Sequence, residues 1–359
     1  MLTNFFRQGI MSAPIDIIQN WTEITADMII DVRSPAEFAE DHIPGAINMP
    51  VLNNEERAEV GTIYKQINAF QARRYGGALV AGNISQHILN YLQNKPVEFR
   101  PLIYCWRGGQ RSHSFARICS DIGWRTYVLE GGYKSYRKNV LIGLETETPQ
   151  IKPILISGPT GTGKTRLLHF IKQGGAQILD LEALANHRGS LLGLTPGETQ
   201  PNQKYFETKL HHEIKLLDYN KPVFIEAESS KIGELQIPQS VFKIMKSAPL
   251  IEIEMSAENR AEFLIKEYLY LQSHPQALYK LFDAMVYRHG VKKTDQWRLL
   301  ADKKDWQELA NELIMFHYDP AYKGSSMRKD RETDFILKLD SGHDDAFVKA
   351  AHTIIQKYN

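Results

Sequence analysis

Two α/β domains in series are what this sequence predicts, and three observations predict them. Strand-length apolar runs alternate with helix-period segments in both halves of the chain. Two of those strands run directly into glycine-bearing loops that open helices, at residues 105–112 and 158–165. Between the halves, residues 144–150 are polar, carry Pro149 and show no apolar period, which reads as an interdomain linker. The expected organisation is a first domain over 12–140, a linker over 141–152 and a second domain over 153–359.

The first domain opens on the strand Ile29-Ile30-Asp31-Val32-Arg33. A second strand, Leu102-Ile103-Tyr104, delivers Cys105. Behind it Ala116, Ile118, Cys119 and Ile122 mark the apolar face of a helix that ends near Gly123. A third strand, Thr126-Tyr127-Val128-Leu129, stops at Gly131-Gly132. In the second domain the strand Pro153-Ile154-Leu155-Ile156-Ser157 precedes a glycine-rich turn and a helix from Lys164 to about Ile171. Further strands are expected over 176–179, 223–225, 250–253 and 335–339. Phe347, Ala350, Ala351, Ile354, Ile355 and Tyr358 lie at helical spacing and predict a closing core helix.

Composition narrows the functional classes. At 359 residues, with 43% hydrophobic and 24% charged residues, the chain has an ordinary soluble make-up. No apolar run approaches the roughly 20 residues of a membrane span. Leu2, Phe5 and Phe6 before Arg7 are too little for a secretory signal. Two cysteines, Cys105 and Cys119, cannot build a disulfide scaffold or a thiolate zinc site, so the expected compartment is the cytoplasm. A net charge of +1 leaves nucleic-acid binding to a local patch.

Gly158-Pro159-Thr160-Gly161-Thr162-Gly163-Lys164-Thr165 matches the phosphate-binding P-loop pattern, after a strand and before a helix. Glycines let successive N–H groups converge on an anion, and the helix N-terminus adds partial positive charge. Lys164 supplies a full charge and Thr165 a magnesium ligand. The motif speaks for a di- or triphosphate without saying which. Asp180 and Glu182, and Glu226 and Glu228, end the next strands and are expected as magnesium or substrate ligands, though solvated strand-end acids are the plain alternative. His211-His212-Glu213 lacks metalloprotease spacing and reads as the solvated face of a helix.

Cys105-Trp106-Arg107-Gly108-Gly109-Gln110-Arg111-Ser112 repeats the strand–loop–helix arrangement around a thiol. Loop amides, the helix N-terminus and the two arginines favour a nucleophilic thiolate, and Arg107, Gly108, Gly109 and Arg111 form an anion cradle. Cys119, inside the helix pattern, reads as inert core.

Asp31-Val32-Arg33, Glu37-Phe38 and His42-Ile43-Pro44-Gly45-Ala46-Ile47-Asn48 resemble the opening motifs of rhodanese domains. In that comparison Cys105 carries the persulfide or perselenide. Five residues separate Cys105 from Arg111, one more than in common rhodanese loops, which points to a phosphate-like anion rather than thiosulfate. Related cysteine phosphatases share that spacing but have histidine before the cysteine, where this chain has Tyr104.

A rhodanese-like α/β domain followed by a P-loop NTPase-like α/β domain resembles the bacterial tRNA 2-selenouridine synthases over nearly the whole chain. Residues 105–112, 129–134, 180–190 and 318–322 carry the likeness. The resemblance implies a transferase that takes 2-thiouridine at the wobble position of tRNAs for lysine, glutamate and glutamine. It implies S-geranylation from geranyl diphosphate at Gly158, Gly161, Gly163, Lys164 and Thr165, then displacement by selenium from selenophosphate at Cys105. No tightly bound cofactor and no membrane partner are expected; magnesium is. Between Cys105 and Val140 seven Lys and Arg face only Asp121 and Glu130, so Arg137 and Lys138 are tRNA-binding candidates, with Trp106, Tyr133 and Tyr136 as stacking surfaces. Arg73-Arg74-Tyr75 is a second basic-aromatic candidate. Two alternatives remain: an ATP-dependent kinase or tRNA sulfurtransferase fused to a rhodanese domain, and a non-enzymatic adaptor.

Overall fold

Each half of the chain folds around its own five-stranded, wholly parallel sheet. The computed structural model describes residues 12–187, 199–273, 275–323 and 331–358. Two compact units divide between Gly143 and Leu144.

The first unit runs β1 (Ile15–Ile18), β2 (Met28–Asp31), α1 (Pro35–Glu40), β3 (Ile47–Asn48), α2 (Asn54–Gln66), α3 (Ala69–His87), β4 (Pro101–Tyr104), α4 (Gln110–Ile122), β5 (Thr126–Leu129) and α5 (Gly132–Thr146). The sheet order is β1-β5-β4-β2-β3. Every residue of β4 and β5 is buried, as a strand covered on both faces requires. Asp31 pairs in register with Tyr104, so Arg33 and Cys105 leave the sheet at the same edge. That edge is where parallel α/β folds place ligands. Gly123 ends α4 in the left-handed conformation at φ 110°, the expected helix stop.

The second unit adds β6 (Lys152–Ser157), α6 (Lys164–Gln173), β7 (Gln177–Leu179), α7 (Leu181–Leu184), α8 (Gln203–Lys215), β8 (Pro222–Glu226), the hairpin β9 (Lys231–Ile232) and β10 (Leu235–Gln236), α9 (Gln239–Ser247) and β11 (Leu250–Glu254). A helical insert follows: α10 (Ala257–Glu267), α11 (Leu269–Ser273), α12 (Pro275–His289), α13 (Val291–Asp302), α14 (Trp306–Leu313) and α15 (Asp319–Lys323). The chain then returns to β12 (Phe335–Lys338) and α16 (Asp344–Tyr358). The sheet order is β12-β11-β6-β8-β7. Phe347, Ala350, Ala351 and Ile354 of α16 pack with Ile154, Ile156, Leu167 and Phe224, the core role their spacing predicts. The insert has its own core around Phe282, Trp297 and Leu309. Among the described residues no helix is long and apolar enough to cross a membrane.

The stretch 144–150, where the sequence shows no apolar period, is nonetheless mostly helical. Helix α5 continues to Thr146, and Thr148–Gln150 forms a 3-10 turn with Pro149 in its first positions. Val140, Leu144 and Thr148 follow one another at intervals of four and are all buried. His211 corrects a second expectation. It is buried on α8, its Nε2 lies 3.3 Å from Glu147 Oε2, and burial pushes its imidazole pKa down.

Candidate active sites: a thiol loop and a phosphate loop

Cys105 sits one residue past β4 and is almost fully buried. The Gly109 N–H donates to its Sγ at 3.2 Å, and Ser112 Oγ lies 3.3 Å away. Gly108 turns the loop at φ +63°, where a Cβ would come within 2.7 Å of the Leu129 carbonyl oxygen. Gly132, at φ +57°, backs the loop so closely that a Cβ there would lie 2.2 Å from the Cys105 carbonyl oxygen. The first amides of α5 take the loop's carbonyls: Tyr133 N–H donates to Cys105 O (2.8 Å) and Lys134 N–H to Trp106 O (3.0 Å). The N–H groups of Arg107, Gly108, Gln110 and Arg111 make no hydrogen bond to another described residue and remain available to an anion.

Arg107 is exposed at the loop, whereas Arg111 is partly buried and paired with Glu37 at 2.8 Å. Burial alone would raise the Glu37 carboxyl; the Arg111 hydrogen bond and charge outweigh it and hold Glu37 below the usual carboxylate range. Glu37 also closes the capping box of α1 by accepting from Ser34 N–H. Beneath lies a buried frame: Asp31 pairs with Arg33 at 2.7 Å, and the Arg33 guanidinium sits 4.0 Å from the Tyr133 ring centroid. Cys119 is core, its thiol pushed up to about 12 by burial.

The basic stretch after Cys105 is less free than its local sequence indicates. Arg111 pairs with Glu37, Arg117 with Asp121, Arg125 with Asp16, and Arg137 lies 3.8 Å from the buried Asp41. For Arg111, Arg125 and Arg137 these are acids distant in sequence, which neutralise arginines that a local count leaves positive. Lys134 and Lys138 are exposed. Tyr133 and Tyr136 are buried, and Tyr133 donates to Asp41 at 2.7 Å, so neither offers a face to a base. Trp106 is half-buried, 5.2 Å from the Tyr133 ring. On α3, Arg73 and Arg74 are exposed and Tyr75 donates to Glu59.

The phosphate loop joins β6 to α6, with Gly161 at φ +89° and Gly163 at φ +71°. A Cβ on Gly163 would meet the Phe347 ring at 2.4 Å, so the loop is pressed onto α16. Lys164 Nζ donates to the Gly158 carbonyl at 3.1 Å, within the loop it is expected to serve. Arg260 of α10, buried and absent from the sequence expectations, donates to Thr160 O at 2.8 Å. It makes two bonds to Asp319, at 3.1 and 2.6 Å. Residues 318–322 thus gain a role: Asp319 holds the arginine that holds the loop, and Tyr322 OH meets Ser157 Oγ at 2.9 Å.

Register sets Glu226 opposite Ile156 at the end of β6. Glu182, Glu226 and Glu228 bring one oxygen each within 4.8 Å of one another. Thr165 Oγ1 donates toward Glu182 Oε2 at 3.5 Å. Neither oxygen of the buried Glu226 has a hydrogen-bond partner among the described residues. Burial drives the carboxyls of Glu226 and Glu182 well up, against the opposing charge of Lys164. Orphaned buried oxygens beside a threonine hydroxyl fit a hard divalent cation such as magnesium. The structure gives Asp180 other bonds: one oxygen caps α7 through Ala183 N–H and the other meets His169 at 2.9 Å.

The cavity over this loop holds about 640 Å³. Its walls include Arg288 and His317 from the helical insert, which no sequence motif marks, and Tyr318 and Tyr322 of the stretch 318–322. His317 Nδ1 lies 2.9 Å from His289 Nε2, and burial pushes the His317 imidazole down to about 4. Of the motif over 180–190, residues 188–190 lie outside the described residues.

Residues 16–139 match the rhodanese-like domain family, and residues 151–282 match the tRNA 2-selenouridine synthase AAA domain. A tRNA 2-selenouridine synthase of Proteus mirabilis is 36% identical over 287 residues, covering 79% of this chain and 72% of that protein. The synthase of Nitrosomonas europaea is 36% identical over 248 residues, 67% of this chain and 63% of its own length. That of Bdellovibrio bacteriovorus is 36% identical over 250 residues, with 67% and 64% covered. The chain thus spans less than two thirds of the length of the last two relatives.

Proposed function

The chain belongs to the tRNA 2-selenouridine synthase family, and on that premise we propose that it is a cytoplasmic transferase replacing sulfur by selenium at the 2-position of a tRNA wobble uridine. The substrates are 2-thiouridine in tRNAs for lysine, glutamate and glutamine, geranyl diphosphate and selenophosphate. The supporting observation is the pair of separate anion sites, one built on a thiol and one on a lysine.

In the first step the thiocarbonyl sulfur forms a bond to C1 of the geranyl chain. The C1–O bond to the diphosphate breaks, its electron pair leaves on pyrophosphate, and the N3 proton of the base passes to solvent. Lys164 and the loop amides neutralise that leaving group; Glu182, Glu226, Glu228 and Thr165 would hold a magnesium ion, which would supply further positive charge there. In the second step the Cys105 thiolate takes the phosphoryl group of selenophosphate, the P–Se bond breaks and selenide is released. Selenide adds at C2 and expels geranyl thiolate, and water then releases phosphate and returns Cys105 as thiolate. Alkylation matters because it turns a poor leaving group into a good one. Arg107 and the loop amides hold the selenophosphate, with Gly108 and Gly109 supplying the close backbone approach and Arg111 positioned by Glu37. Lys138 and Lys134 contact tRNA phosphates, with Arg137 held beside them.

The test is nucleoside mass spectrometry of thiolated tRNA after reaction with the purified protein. S-geranyl-2-thiouridine should accumulate with geranyl diphosphate alone, and selenouridine should appear when selenophosphate follows. Selenouridine formed without geranyl diphosphate, or ATP turnover coupled to its formation, would replace this reading with the kinase or sulfurtransferase one.

A further inference from the structure

Two imidazoles stand in line at the wall of the phosphate-loop cavity. His317, in the π turn Ile314–Tyr318 between α14 and α15, lines the cavity and is only 4% exposed. Its Nδ1 lies 2.9 Å from Nε2 of His289, the last residue of α12. The outer nitrogens, His317 Nε2 and His289 Nδ1, have no partner among the described residues, yet neither is sealed from solvent. His289 is half-buried and takes no part in the cavity wall, so the pair opens on the cavity at one end and elsewhere at the other. The Trp297 ring, 5.0 Å from His289, and the Tyr318 ring, 4.9 Å from His317, hold both imidazoles edge-on. Single π turns are rare and recur at functional sites.

We infer that His317 is the base that takes the N3 proton when the sulfur is alkylated, and that His289 relays it to solvent. The inference rests on the proposed geranylation at the phosphate loop and names the group that removes the proton. N3 is bonded to C2, the carbon bearing the attacking sulfur, so its acceptor must share a cavity with Lys164, as His317 does. With a proton on His317 Nδ1, that atom donates to His289 Nε2, and His317 Nε2 is left as an acceptor. The N3–H bond breaks as Nε2–H forms, the Nδ1 proton moves to His289 Nε2, and His289 gives its Nδ1 proton to water. Exchange with water returns both rings to their starting tautomers. Burial first, then His289 and Arg288, hold His317 neutral beforehand, so its lone pair is free. A weak base is enough, because alkylation leaves the nucleobase cationic and its N3–H strongly acidic. Other groups on the wall are engaged: three carboxylates cluster at the proposed cation site, and the exposed His169 meets Asp180 at 2.9 Å.

Single-turnover geranylation of thiolated tRNA by the full chain tests this, beside calorimetric titration with inorganic pyrophosphate and magnesium. His317→Ala should slow product formation about a hundredfold, the usual range for a lost proton acceptor, with pyrophosphate affinity as in the wild type. Added imidazole, entering the space vacated, should return part of that rate, which a purely structural role would not allow. His289→Gln keeps a polar partner that cannot relay and should slow the reaction about tenfold. It decides the matter should the alanine variant not fold. A wild-type rate in both variants, or a loss that imidazole leaves untouched, overturns the base while leaving the transferase reading intact. No S-geranyl product from the wild type overturns both.

Discussion

The two glycine-bearing loops use one backbone device with opposite charge. Each leaves the end of a buried parallel strand, turns on glycines in the left-handed region and enters a helix. The thiol loop places a thiol among Arg107, Arg111 and unpaired amides, with Glu37 holding one arginine. The phosphate loop places an ammonium beside three carboxylates, two of them buried. The first is ready for an anion as it stands. The second carries excess negative charge in low dielectric and is complete only with a cation.

The sharpest way to break that division is to disable one loop and assay the other's step. Cys105→Ser should lower selenium transfer by about a thousandfold or more, leaving geranylation near wild type, because a hydroxyl cannot replace the thiolate. Lys164→Ala should lose geranylation yet still selenate tRNA that already carries S-geranyl-2-thiouridine. Equal loss of both steps in either variant, read by nucleoside mass spectrometry, would merge the two sites into one.

Gly132→Ala sharpens the thiol side. With φ at +57° and backbone 2.2 Å from the added Cβ, it should cost about 2 kcal/mol or more in urea denaturation. Cys105 alkylation by iodoacetamide should slow with it. A stable variant with unchanged alkylation would mean that the α5 turn does not shape the loop.

Glu226 sharpens the phosphate side through pH. Burial raises its folded pKa to about 8, so folding favours the neutral acid. The cost is absent below the unfolded carboxyl value, grows as pH rises through it, and is complete above the folded one. In chelator, Tm should therefore fall from pH 6 to pH 9, and magnesium should restore it. Glu226→Gln should flatten the slope, gaining about 1 kcal/mol at the alkaline end. A metal-free protein as stable at pH 9 as at pH 6 contradicts the orphaned carboxylate.

The smallest effect is expected at the tRNA surface. Lys134→Glu with Lys138→Glu should weaken tRNA binding several-fold and reduce the salt slope by about one per lost phosphate contact. Arg137→Glu is a poorer probe, since it would set a second carboxylate against buried Asp41.

Both loops were legible because their patterns are local: a strand, glycines at fixed spacing and a helix. Strand positions around Cys105 and Lys164 were legible for the same reason. What surrounds the loops was not. Arg260 lies 100 residues from the Thr160 carbonyl it holds, and Glu37 lies 74 from Arg111, separations across which no periodicity carries information. The helix carrying Phe282 was legible in principle, since Leu278, Leu281, Phe282 and Met285 stand at helical spacing. The tyrosines misled because aromatic and basic residues look alike in sequence whether they meet solvent or Asp41.

The close packing of Gly132 on Cys105 bears on protein engineering. An eight-residue cassette carrying the thiol could not be transplanted onto another strand–helix junction and keep its shape. Its carbonyls are tethered by amides 27 or more residues downstream, and its outer wall is a bare glycine backbone. The smallest portable unit is β4 through the start of α5, two strands and a helix that travel together.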